Sequence, residues 1–151
     1  MVLVLYDTGV RDWEFLMLSV PPVVVGLTIC RDFLRDPASG NYSVIRSFTG
    51  LPIEAFPGSG EPFCVFGIFT DAVGEAEAEL VIDWFSDESV GEYAKSRGRV
   101  RFPDKLRLVE CKFNFHHFPF PGPGEFLFTL YLDGVWMAQR SLRVYAKGET
   151  T

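Results

Sequence analysis

Apolar residues recur at every second position along much of this chain, and the alternation is cleanest near the C-terminus. Phe126, Phe128, Leu130 and Leu132 alternate with Leu127, Thr129 and Tyr131, the period of a strand with one buried face. Asp133-Gly134 follows, a dipeptide suited to a two-residue turn that needs positive φ at both positions. The return strand, Val135–Tyr145, is expected to pair Leu132 with Val135 and Leu130 with Met137. Its apolar parity changes between Met137 and the Leu142/Val144 set, which predicts a bulge near Gln139–Ser141. Upstream, Pro119, Pro121 and Pro123 cannot donate to a ladder, so the preceding strand must end before them.

The same reading extends backwards along the chain. Val23, Val25, Leu27 and Ile29 predict a strand running to about Leu34, and the turn formers Asp36–Asn41 return it as Tyr42–Phe48. Gly50–Pro62, punctuated by Pro52, Pro57 and Pro62, reads as a loop. Phe63–Thr70 is apolar at both parities, which suits a strand covered on both sides or lying across an interface. Glu75–Phe85 begins with helix formers, yet its glutamates alternate with Ala76, Ala78, Leu80 and Ile82, and strand is the better reading. After a polar loop at Ser86–Ser89, Gly91–Phe102 reads as an irregular edge strand. Leu106–Phe118 reads as a long strand with Val109, Cys111, Phe113 and Phe115 inward. The opposite parity of Leu106 and Leu108 predicts a bulge near Leu108-Val109.

Residues 1–16 form an uncertain extension. Val2–Tyr6 is a short candidate strand and Asp12–Leu18 either a helical turn or a second strand. A single domain is expected over residues 17–147, with 148–151 as a flexible tail. Seven to nine strands with turn signals between them predict an all-β fold with little helix, an immunoglobulin-like antiparallel β-sandwich.

Composition narrows the function classes. At 151 residues with 15 Phe, the chain can fill a core without staples. A net charge of −6 argues against a general nucleic-acid binder. The uncharged run Phe15–Cys30 is short for a spanning helix and is interrupted by Pro21-Pro22, while Asp7, Asp12 and Glu14 ahead of it do not suit a signal peptide. The expectation is a cytoplasmic protein with no membrane partner. Cys30, Cys64 and Cys111 are odd in number and lack CxxC spacing, so they are expected to pack as small apolar groups in a reducing compartment.

Candidate chemistry is sparse. His116 and His117 are adjacent, and neighbouring strand residues point to opposite faces, so they do not jointly ligate one metal ion. Asp71, Asp83, Asp87 and Glu88 would suit calcium only if their loops converged at one end of the sandwich, and no DxDxDG-like loop is present. Between Arg46 and Lys95 there is no Lys or Arg; then Lys95, Arg97, Arg99 and Arg101 follow at two-residue spacing, placing four cations on one face of an extended segment. Two readings stand: a charged edge strand paired with the glutamate strand, or a ridge for an anion or protein partner. Of the aromatics, Tyr131 and Trp136, opposite each other beside the turn, are the candidates for a sugar-stacking platform. No GxSxG, P-loop, Rossmann glycine pattern or HExxH is present, and no catalytic residue or cofactor is assigned.

The stretches LTICRDFLRDPASGNYSVIRSFTGLPIEAFP, FCVFGIFTDAVGEAEAELVI, RFPDKLRLVECKFNF and FPFPGPGEFLFTLYLDGVWMAQRSLRV resemble an uncharacterised bacterial family of small single-domain proteins, over about Val23 to Tyr145. That resemblance implies a β-sandwich, no assigned activity and no transferable functional residue. Phe126 stands where immunoglobulin-like hairpins often carry a corner tyrosine. The leading functional expectation is a non-catalytic interaction or scaffold module binding a protein partner or a second copy of itself, because the Phe-rich strands Phe63–Phe69 and Phe113–Phe120 exceed what a small core needs. The alternatives are a small-ligand or carbohydrate binder using Tyr131, Trp136 and the charged rim, and an unfamiliar hydrolase or redox enzyme around Cys111, His116 or His117.

Overall fold

A computed structural model describes residues 22–88 and 90–149; the strand and helix readings made within residues 1–21 lie outside them. The described residues form nine strands and no helix. In chain order these are β1 (Val23–Arg35), β2 (Tyr42–Ser47), β3 (Gly50–Ile53), β4 (Phe63–Thr70), β5 (Gly74–Phe85), β6 (Val90–Phe102), β7 (Val109–Phe115), β8 (Gly124–Leu132) and β9 (Val135–Ala146). They make two sheets, one ordered β2-β1-β4-β7 and the other β3-β9-β8-β5-β6. The apolar parities of both sheets meet in one core, as the alternation predicts for a sandwich.

The C-terminal hairpin turns where its sequence says it should. Asp133 and Gly134 have φ of 48° and 81°, and Leu132 pairs with Val135. Leu130, however, pairs with Ala138 rather than Met137. The extra residue is Met137, so the bulge sits next to the turn and not at Gln139–Ser141. It restores parity at once: Ala138, Arg140, Leu142 and Val144 then oppose the inward residues of β8.

Three other expectations need correction. Gly50–Ile53 is not loop but a short strand running parallel to β9, so the sandwich is not wholly antiparallel. Pro52 is tolerated because β3 is an edge strand, where a missing N–H leaves no ladder bond unmade. The long strand ending at Phe118 is shorter, Val109–Phe115, and no bulge lies at its start. There the Asp104 carboxylate accepts hydrogen bonds from the Leu106 and Arg107 amides at 2.9 and 3.0 Å, closing a turn that holds Leu106 in solvent, 93% exposed. β6 is regular along β5 apart from one shift, which leaves Tyr93 as the unpaired residue.

The surplus of aromatic residues is absorbed within the chain. Phe120 is fully buried although it lies among prolines, because it exchanges two backbone hydrogen bonds with Gly58, at 2.9 and 3.1 Å. Its ring packs edge-on against Phe126 and Phe118 at 5.0 and 4.9 Å between centroids. Phe63 and Phe128 continue the cluster at 6.1 Å. Deeper in, Gly67 leaves room for the opposite sheet: a Cβ there would meet Leu130 Cδ2 at 2.8 Å.

β4 buries its second face as well. Cys64 and Phe66 point away from the core, yet they are buried in a satellite cluster with Cys30 and Phe33. The ladder explains how. Phe66 pairs with Thr28, but its ring stacks on Phe33, well beyond Thr28 along β1, at 4.1 Å. The distal half of β1, pairing only with β2, therefore turns back over the outer face of its own sheet as a flap. Arg46, at φ 51°, sits where β2 follows that bend. Ion pairs pin the flap to β7: Asp32–Lys112 at 3.0 Å and Arg35–Glu110 at 3.3 Å.

Phe128→Ala leaves a cavity where both sheets contribute rings. It is expected to cost about 3–5 kcal/mol in urea unfolding, while the half-buried Leu127→Ala on the other face costs far less.

Candidate functional site

The cations and aromatics singled out from the sequence occupy one surface, the outer face of the five-stranded sheet. On β6, Arg97, Arg99 and Arg101 lie directly opposite Glu79, Glu77 and Glu75 on β5, and Lys95 lies opposite Val81. Side chains reach across or along this ladder: Arg97 to Glu79 at 2.9 Å, Arg99 to Glu75 at 3.2 Å and Lys95 to Glu92 at 3.7 Å. The paired-strand reading thus describes these residues better than a bare cationic ridge. Exposed pairs of this kind are screened by water and individually weak, so they set register and solubility more than stability.

One row of the face continues beyond the ladder. Arg97 pairs with Glu79, Glu79 with Tyr131 and Tyr131 with Trp136, across four adjacent strands. Residues directly opposite in a sheet share a face, so a charged pair runs straight into two aromatic side chains. The Met137 bulge keeps Trp136 facing outward there, 53% exposed. Trp84 does not join this platform; its ring stacks on Phe126 at 5.9 Å and its Nε1 donates to the Pro123 carbonyl at 3.2 Å.

A groove at the end of β5 carries no signal in the sequence pattern. Trp84, Ser86, Asp87, Glu88, Gly122 and Pro123 line an open space of about 430 Å³, and a neighbouring space of about 400 Å³ adds Glu125 and Arg143. Pro123, expected from the sequence only to end a strand, shapes this wall together with Gly122 and Gly124. Glu125 Oε1 faces Arg143 at 4.0 Å, and its Oε2 is buried without a hydrogen-bond partner among the described residues.

The remaining candidates do not assemble. Asp71 sits in the turn before β5, whereas Asp83 lies near the far end of that strand and Asp87 and Glu88 follow it, so most of the strand separates Asp71 from the other three acidic groups weighed for calcium. His116 and His117 lie beyond the end of β7 and are exposed, while Cys111 is buried in the main core. Among the described residues no group of three or more His, Cys, Asp or Glu is placed to hold a metal ion.

The structure brings together two cysteines that the sequence left separate. Cys30 and Cys64 are register partners on β1 and β4, with their sulfurs 3.7 Å apart. No local signal marks them, because the contact depends on the register of two strands distant in sequence. Burial raises the Cys30 thiol pKa, and burial together with the adjacent Cys30 sulfur pushes that of Cys64 up to about 12. Above them, the hydrogen bond from Lys112 holds the Asp32 carboxyl below its usual range. Tyr42, on the flap, is pushed up to about 12 by burial and by donating to Glu110.

A thiol whose folded-state pKa is raised favours folding only while it stays neutral. Burial takes Cys111 from 9.0 to about 12, so its contribution is full below pH 9.0 and fades as the pH climbs toward 12. Urea midpoints are expected to fall over that window, and Cys111→Ala to flatten part of the slope.

No curated protein matches this chain. Residues 26–145, from within β1 to near the end of β9, match the family described as "Family of unknown function (DUF6941)". With most of its length inside that match, the chain belongs to this family.

Proposed function

We infer that this chain is a non-catalytic interaction module that pairs with a second copy of itself through the outer edge of β2, which no other strand covers among the described residues. The carrying observation is the state of that edge. β3 is short and contains Pro52, and β6 presents a charge at alternate positions and lies against β7 across the open side of the sandwich. These are the usual ways of blunting an edge. β2 has neither proline nor alternating charge, and its Val44 and Ile45 are 47% and 39% exposed, beside Leu34 on β1 at 56%. Its single cation, Arg46, is already met by Glu61 at 3.2 Å, so two copies meet without like-charge repulsion. Antiparallel pairing about a two-fold at Val44 sets that residue against its own copy and Ser43 against Ile45, joining two sheets into one. The reading goes with a cytoplasmic, reducing setting and with a protein rather than a nucleic-acid partner, supported by the −6 net charge. Among the described residues no helix is long and apolar enough to cross a membrane.

Light scattering behind size exclusion is expected to give twice the 17.0 kDa chain mass, and the Val44→Lys, Ile45→Lys double variant to give the single mass with an unchanged circular dichroism spectrum. A wild-type monomer at high concentration would sink the reading.

A second reading rests on Trp136 lying exposed and opposite Tyr131, with Arg97 and Glu79 in the same row. That row offers a flat apolar surface with donors and acceptors alongside, which suits a sugar ring. A glycan array is expected to yield hits that Trp136→Ala abolishes; an empty array removes this reading.

A further inference from the structure

We propose that Cys30 and Cys64 are a modification site, a cross-strand dithiol that a hydroperoxide closes to an intramolecular disulfide beneath the β1–β2 flap. Geometry carries the inference. The two residues are directly opposite in an antiparallel pair, which sets their Cα atoms at about 4.5–5.5 Å, within the span a disulfide needs. Their sulfurs already touch at 3.7 Å, so closure requires small side-chain rotations and no change of register. Cys111 cannot compete. It faces the main core, whereas Cys30 and Cys64 belong to the cluster on the opposite side of the same sheet.

The flap supplies the gate. Both sulfurs are sealed, with Cys30 and Cys64 only 0% and 1% exposed, under Phe33 and Phe66. The Lys112 ammonium stands over the Phe33 ring at 4.8 Å while bonded to Asp32. Its pins to β7 are exposed or half-exposed polar contacts of modest strength, so this corner opens more readily than the core. Opening admits water and oxidant together. The Cys30 thiolate then attacks one oxygen of hydrogen peroxide, forming an S–O bond as the O–O bond breaks and hydroxide leaves. Cys64 sulfur attacks the resulting sulfenic acid, the S–S bond forms and the S–O bond breaks. The hydroxides and the two thiol protons end as two waters, so two thiols and one peroxide give one disulfide.

The bridge joins residues 34 positions apart and locks the proximal half of β1 to β4, leaving the flap to pivot on a fixed base. Constraint of the unfolded chain is expected to raise Tm by about 10 °C, reversed by dithiothreitol.

The test uses the full chain, reduced and then exposed to hydrogen peroxide, denatured, alkylated with N-ethylmaleimide and mapped by mass spectrometry. The expected result is a monomeric product lacking two hydrogens, one labelled thiol at Cys111 and a cross-linked Cys30–Cys64 peptide pair. Cys111→Ser gives the same bridge, Cys64→Ser gives a dimedone-reactive sulfenic acid at Cys30, and Phe33→Ala forms the bridge several-fold faster. Three labelled thiols after oxidation, a bridge involving Cys111 or a second molecule, or sulfinic acid at Cys30 without a bridge would overturn it.

Discussion

Burial of β4 on both faces is the constraint from which most of this structure follows. Its sequence, FCVFGIFT, offers apolar side chains at both parities, and water tolerates neither set. One set, Phe63, Val65 and Phe69, meets the inner face of the five-stranded sheet, with Gly67 making space for Leu130. The other set, Cys64, Phe66 and Ile68, lies where a sandwich would normally face solvent. An outer partner or a local cover had to supply the missing contacts, and the chain supplies the cover itself by turning the β1–β2 hairpin back on its own sheet.

That single manoeuvre has several consequences. It places the Cys30–Cys64 pair under a roof held by exposed ion pairs, rather than in a core held by the whole fold. It also leaves β2 as the outermost strand of its sheet, with β1 as its one ladder partner among the described residues. The features proposed here as a redox site and as a docking edge therefore have a common origin. A chain with a polar second face on β4 would need no flap and would have neither feature.

The opposite surface is governed by different physics. There the five-stranded sheet spends its outer face on cross-strand charge pairs, each of small energy, which hold β6 against β5 and keep that edge from recruiting strangers. The row that ends at Tyr131 and Trp136 departs from this pattern because the Met137 bulge turns a tryptophan outward beside the hairpin turn.

By itself the sequence determined what two-residue periodicity and turn chemistry can encode. The inward residues of β8, the Asp133-Gly134 turn, the strand character of β5 despite its helix formers, and the opposition of Tyr131 to Trp136 are all local, each set by neighbours within a few positions. Bulge positions escape the alternation because a bulge is chosen by the partner strand as much as by the strand that carries it, so Met137 rather than Gln139–Ser141 takes the extra place. β3 is not legible as a strand because four residues containing a proline have no pattern of their own; β9 recruits them. What only the tertiary structure decided is the fate of long-range pairs: which strand lies beside which, that Phe33 returns to Phe66, and that Cys30 meets Cys64. Those contacts depend on register between segments far apart in the chain, and alternation, which repeats every two residues, is the same in every even register.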